Sequence, residues 1–144
     1  MSDFDRLHGY FLEDLSVGMC DMFAKTVTEA DIVMFSGATG DTNPVHLNQE
    51  FAEQTMFKGR IAHGMLSAGL ISTVFGTKLP GPGAIYMNQN LNFKAPVYAG
   101  DTVVASVTLT AINGRRVSFD CECRVGDKVV LDGEATLMVA RKSK

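Results

Sequence analysis

The sequence predicts an α+β domain: one strand, a group of helices, then an antiparallel meander wrapped around one long buried helix. Three observations predict it. From Met65 to Leu79 apolar residues occupy almost every face of a helix, and a helix with no polar face belongs in a core. After Gly83 the pattern changes to alternation, with Val103, Ala105, Val107 and Leu109 set against Val104, Ser106, Thr108 and Thr110, the two-residue period of a half-buried strand. The turn pairs Asn113-Gly114 and Gly126-Asp127 cut that half into hairpins. Helices and strands are thus segregated along the chain, which is the α+β pattern. The 144 residues are the length of one domain, 1–144, with one core.

In order along the chain, Met19 to Val27 reads as the first strand. Thr28 then caps a helix, with the acidic Asp31 three positions on. That helix runs through Ile32-Val33-Met34-Phe35 and is expected to stop at Gly37. Gly37 to His46 has loop composition, and Pro44 pushes Asn43 toward extended backbone. A short helix is expected from Gln49 to Thr55 with Asn48 as its cap. Gly59 to Gly64 is a loop that runs into the long helix, and Pro80-Gly81-Pro82-Gly83 ends that helix sharply. Strands are expected over Ile85–Phe93, Thr102–Ile112, Val117–Val125 and Lys128–Val139.

Composition removes several classes. Hydrophobic residues make up 46% and charged residues 20%, a globular balance rather than a disordered one. The formal charge is −3, from 13 basic and 16 acidic side chains, which argues against nucleic acid as a partner. The basic tail Arg141, Lys142 and Lys144 reads as a solvated, frayed end. No apolar run approaches the ~18 residues of a membrane span. The N-terminus lacks the basic and apolar regions of a signal peptide. Three cysteines, Cys20, Cys121 and Cys123, do not make a disulfide framework and fit a reducing compartment, so cytoplasm is the expected location. Cys121 and Cys123 share one face of a strand and read as small core residues, with no metal site around them.

The chemistry-bearing segment is Gly40-Asp41-Thr42-Asn43-Pro44-Val45-His46. It sets a carboxylate and an imidazole on a loop held between a glycine and a proline. A carboxylate can take a proton from water, and an imidazole can orient or relay one near neutral pH. Asn43 can fix the loop by hydrogen bonding across it. The plainer reading makes Asp41 and Asn43 turn residues and His46 a packed side chain. A second segment, Ala62-His63-Gly64-Met65-Leu66, argues against it. There Gly64 opens the buried helix, whose free N–H groups suit an oxyanion or a thioester carbonyl. Carboxylate, imidazole and N–H pocket together make a site for chemistry beside a carbonyl.

Phe35-Ser36-Gly37-Ala38-Thr39-Gly40-Asp41-Thr42-Asn43-Pro44-Val45-His46 resembles the hydratase-2 signature of the MaoC-like family, the (R)-specific enoyl-CoA hydratases and dehydratases. Tyr10 to Met19 resembles the family's opening. Ala62-His63-Gly64-Met65 and Leu79 to Gly83 resemble its central helix and exit, and Ile85-Tyr86 through Phe93 to Val97 its next strand. The short single-domain form is similar to the PhaJ type, which feeds (R)-3-hydroxyacyl-CoA into polyester synthesis or related pathways.

The resemblance implies a hot-dog homodimer that binds an acyl-CoA thioester. It implies Asp41 and His46 as catalytic pair, adding water across a trans-2-enoyl double bond or removing it, with short-to-medium acyl chains. Asn43 would buttress the loop and the Gly64 N–H would polarise the thioester carbonyl. Ser67, Ser72 and Phe75 on the central helix are the candidates for the acyl pocket. No metal and no redox cofactor is implied, CoA being part of the substrate. His63 reads as structural rather than catalytic. Arg60, Lys58 and Lys94 are candidates for the CoA phosphates, although each singly also fits a solvated surface charge. Three other readings stay open: a hot-dog acyl-CoA thioesterase, a non-catalytic acyl-CoA-binding subunit, and, more remotely, a hydrolase using Ser67, which lacks a glycine-flanked nucleophile turn.

Overall fold

A computed structural model describes residues 1–142. Two short elements precede the first expected strand: α1 (Asp3–Leu7) and a 3-10 turn at Leu12–Asp14. Ser2 and Asp5 form a capping box that starts α1. Then come β1 (Cys20–Thr26), α2 (Glu29–Thr39), α3 (Pro44–Leu47), α4 (Gln49–Glu53), α5 (Gly64–Thr77), β2 (Ile85–Gln89), β3 (Asn92–Phe93), β4 (Thr102–Asn113), β5 (Arg116–Val125) and β6 (Lys128–Met138).

All strands pair antiparallel in one open sheet of order β1-β4-β5-β6-β2, with β3 also on β6. The α5 helix packs on the face made by β1, β4 and β5, which is the hot-dog arrangement. Burial along β4 follows the expected alternation, with Val103, Ala105, Val107 and Leu109 all buried. On β5 the buried positions are Val117, Phe119, Cys121 and Cys123. These meet Leu66, Leu70, Ile71, Val74 and Phe75 of α5 in one core.

Several boundaries differ from the expected ones, each for a physical reason. The α2 helix does not stop at Gly37. It continues to Gly40, which takes a left-handed φ of 81° and donates its N–H to the Ser36 carbonyl at 2.9 Å. Left-handed backbone is what a glycine C-cap supplies, whereas Gly37 is an interior helical residue. His46 sits on a single helical turn rather than in a loop, because Pro44 occupies the first helical position, where no N–H is needed. The strand expected over Ile85–Phe93 is split in two. Its break brings the Asn90 carbonyl so close to Gly133 that a Cβ there would lie 2.0 Å from it. The first hairpin places its two loop residues one position later than the Asn-Gly pair, with Asn113 paired to Arg116 and Gly114 at φ 62°.

Full burial of α5 is also corrected. Within one chain the sheet covers one side only, and Met65, Gly69, Ser72 and Gly76 stay exposed along the other. The tail is not frayed at Lys142. Its Nζ pairs with Asp14 at 2.8 Å and its N–H donates to Glu13 at 3.1 Å. Lys144 lies outside the described residues.

Burial pushes the Cys121 thiol up to about 11 and the Cys123 thiol up to about 12, so both stay protonated and inert at neutral pH. Cys20 is exposed. A thiol reagent is therefore expected to modify one cysteine in the folded protein and all three after unfolding; rapid reaction of more than one before unfolding would contradict this core.

Candidate functional site

The site is built where α2, α3 and α5 converge. Local hydrogen bonds shape the connecting loop. Thr39 Oγ1 accepts from the Asp41 N–H at 3.1 Å, and an Asp41 carboxylate oxygen accepts from the Asn43 N–H at 3.3 Å. Asn43 caps α3 by accepting from the Val45 N–H at 3.1 Å. Asp41 is exposed and His46 is buried. His46 donates Nδ1–H to the Ile61 carbonyl at 2.7 Å, which leaves Nε2 as its acceptor nitrogen.

Asp41 and His46 are brought together, and a third residue joins them. One carboxylate oxygen of Asp41 and one ring nitrogen each of His46 and His63 lie within 4.8 Å of one another. Among the described residues this is the one group offering three metal-type donors. The same donor set suits a proton-transferring pair that holds water.

Gly64 is the first residue of α5, and no side chain caps that helix end. The first N–H groups of a helix have no partner within it, so the end is open to a ligand. A cavity of about 470 Å³ lies beside it, walled by Phe57, Ile61, Ala62, His63, Gly64, Ser67, Phe93, Val97, Val130 and Leu131 among others. Its walls are mostly apolar, as an acyl or pantetheine chain requires. Asp41 and His46 do not themselves line it; His63 does, and it touches both.

The acyl-pocket candidates separate. Ser67 is buried and lines the cavity. Ser72 is on the exposed side of α5, and Phe75 is in the core, edge-on to Phe119 and Tyr86 at 4.9 and 5.3 Å; neither reaches the cavity within one chain. The cations also separate. Arg60 forms a two-pronged pair with Glu29 at 2.6 and 2.7 Å and donates to the His46 carbonyl at 3.4 Å. It braces the site, and it holds the Glu29 carboxyl below its ordinary range. Lys94 stands at the cavity wall and pairs with Asp132 at 3.0 Å. Lys58 is exposed, with a positive φ of 61°.

Phe93 was not singled out by its sequence context, because its significance depends on a distant glycine. A Cβ on Gly64 would lie 2.6 Å from the Phe93 ring. Gly64→Ala is therefore expected to displace that ring and lower the melting temperature. The same substitution in a Phe93→Ala background should cost much less, as a double-mutant cycle would measure; equal losses in both backgrounds would refute the contact.

The MaoC like domain family matches residues 21–131. An (R)-specific enoyl-CoA hydratase from Rhodospirillum rubrum is 55% identical over 137 residues, covering 94% of this chain and 95% of the relative. A 3-hydroxybutyryl-CoA dehydratase from Methylorubrum extorquens is 49% identical over 141 residues, covering 96% and 90%. Among solved structures, the unliganded (R)-hydratase from Pseudomonas aeruginosa superposes with a TM-score of 0.88 at 38% identity, covering 94% of this chain and 89% of that one. On this match and these identities, this chain belongs to the MaoC-like family of hydratases and dehydratases.

Proposed function

We propose that the protein catalyses (R)-specific hydration of trans-2-enoyl-CoA to (R)-3-hydroxyacyl-CoA and the reverse dehydration. The observation that carries it is the gathering of Asp41, His46 and an uncapped helix N-terminus at Gly64 beside an apolar cavity. Relatives at 55% and 49% identity bear the names of this reaction and of its reverse.

The chemistry follows from the donors. A water giving one hydrogen to the Asp41 carboxylate and the other to His46 Nε2 keeps an oxygen lone pair for C3. As the C3–O bond forms, one water proton passes to the pair and a proton is delivered to C2. One water is thus added, and the pair returns to its starting state. Asp41 is the principal base and His46 the partner that holds the water and shares its protons. Negative charge builds on the thioester oxygen as C3 is attacked, and the Gly64 N–H at the positive end of α5 stabilises it there. The thioester itself activates the double bond, so the reading requires no metal and no cofactor beyond the CoA carried by the substrate.

The same reading makes the protein a cytoplasmic homodimer. What supports the second copy is the apolar surface left open: Met65 in the exposed stripe of α5, and Ile85, Tyr86 and Met87 on the edge strand β2. Ser72 lies in that stripe, which leaves it free to meet the acyl chain at a dimer interface. No helix among the described residues is long and apolar enough to cross a membrane.

Crotonyl-CoA offered to the protein should lose its enoyl absorbance and yield the (R)-3-hydroxy product. Release of free thiol with the absorbance unchanged would instead mark a thioesterase. Asp41→Asn and His46→Gln should each lose activity by orders of magnitude while the melting temperature holds, and wild-type turnover in either variant would sink the assignment. Sedimentation should show a species twice the chain mass; a 15.5 kDa species alone at all concentrations would exclude the dimer.

A further inference from the structure

His63 is 2% exposed and sits where three helices and the α2–α3 loop meet. Its main chain is the N-cap of α5. Its ring lies 3.8 Å from the His46 ring on α3, stacked at 27°, and 4.6 Å from Phe35 on α2. Its Nε2 lies 3.0 Å from the Asp41 carbonyl and 3.1 Å from Ser36 Oγ. A carbonyl only accepts, so Nε2 carries the hydrogen and shares it between these two oxygens. Nδ1 is then the lone-pair nitrogen. It is buried and has no partner, the one such side-chain atom among the described residues.

The contact to Asp41 has no substitute. The other hydrogen bonds made by residues 40 to 43 stay within the segment from Ser36 to His46. Among the described residues, the Nε2–H of His63 is the one bond that ties this loop to a distant part of the chain. The loop's internal shape is therefore local; its ends are held through α2 and α3, by Ser36 Oγ to His63 Nε2 and by His46 Nδ1 to the Ile61 carbonyl, and His63 adds the bond that ties its middle, Asp41, to the start of α5.

We propose that His63 is a positioning residue. Its Nε2–H holds the Asp41 main chain and its ring backs the His46 imidazole, so that both reacting side chains keep one geometry relative to the end of α5. This rests on the reading of Asp41 and His46 as the reacting pair. The ring is engaged at Nε2, where the Asp41 carbonyl and Ser36 Oγ both lie within hydrogen-bond distance. A glutamine places its amide nitrogen where Nε2 lies, an asparagine where Nδ1 lies, and a phenylalanine keeps the ring without a donor.

The test is the rate of crotonyl-CoA hydration by His63→Gln, His63→Asn and His63→Phe, with melting curves for each. The Asn and Phe variants should lose kcat by about 100-fold, the scale of a small misplacement of reacting groups, with KM changed by less than about threefold. The Gln variant should recover most of that loss. A Phe variant with wild-type kcat, or a Gln variant as slow as the Asn one, would overturn the proposal. Should the variants fail to fold, long-range 1H–15N spectra of the unmodified protein read the tautomer directly: a hydrogen on Nε2 supports the role, and one on Nδ1 overturns it. A wild-type protein inert toward enoyl-CoA would refute the hydratase reading instead, and the spectrum would still decide the Nε2 contact.

Discussion

Burial of one side of α5 against β1, β4 and β5 is the interaction on which the rest of the structure depends. Leu66, Leu70, Ile71, Val74 and Phe75 are each under 10% exposed there. Removing one such side chain from water contributes about 1.5–3 kcal/mol. That drive holds the helix in place despite its poor start, where no side chain caps the first turn. An N-cap is worth about 1 kcal/mol, less than a single one of these contacts. The packing can therefore leave the first turn of α5 without a side-chain cap.

A buried helix also sets a fixed address for its ends. His63 and Gly64 begin α5 at the cavity, and the α2–α3 connection folds over the same point. That connection is shaped by short-range bonds, the αL cap at Gly40 and the Asn43 cap of α3. Two rigid pieces, one local and one held by the core, thus meet at Asp41, His46 and His63. Catalytic groups on loops gain precision when the scaffold under them is packed in this way.

The charge around the site serves the scaffold first. Arg60 spans from Glu29 on α2 to the carbonyl of His46 on α3, and Lys94 is paired with Asp132 on β6. Exposed pairs of this kind add little stability, so Lys94 can give up its partner at small cost. Arg60, two-pronged and tied to the site's main chain, cannot do so without loosening α3.

Local order was legible in the residues themselves. The Thr28 capping box, the Asn48 cap, the alternation in β4 and the Asp41-to-His46 segment all depend on neighbours a few positions apart, and the resemblance to hydratases rests on the same contiguous runs. What escaped was set by partners far along the chain. Gly37 reads as the helix stop, but the left-handed backbone falls at Gly40, and Ser36 turns inward to His63. Ser72 and Phe75 share a helix with Ser67, but only the sheet decides which side is core, which is cavity and which is open. Arg60 finds Glu29 across 31 positions, and His63 finds Asp41 across 22. The sequence by itself determined most of the elements, the family and the candidate pair Asp41 and His46, because hydrogen bonds within a turn and hydrophobic periodicity are local. The tertiary structure alone decided how that pair is held against the end of α5, because a side chain's partner across the fold is chosen by packing rather than by spacing.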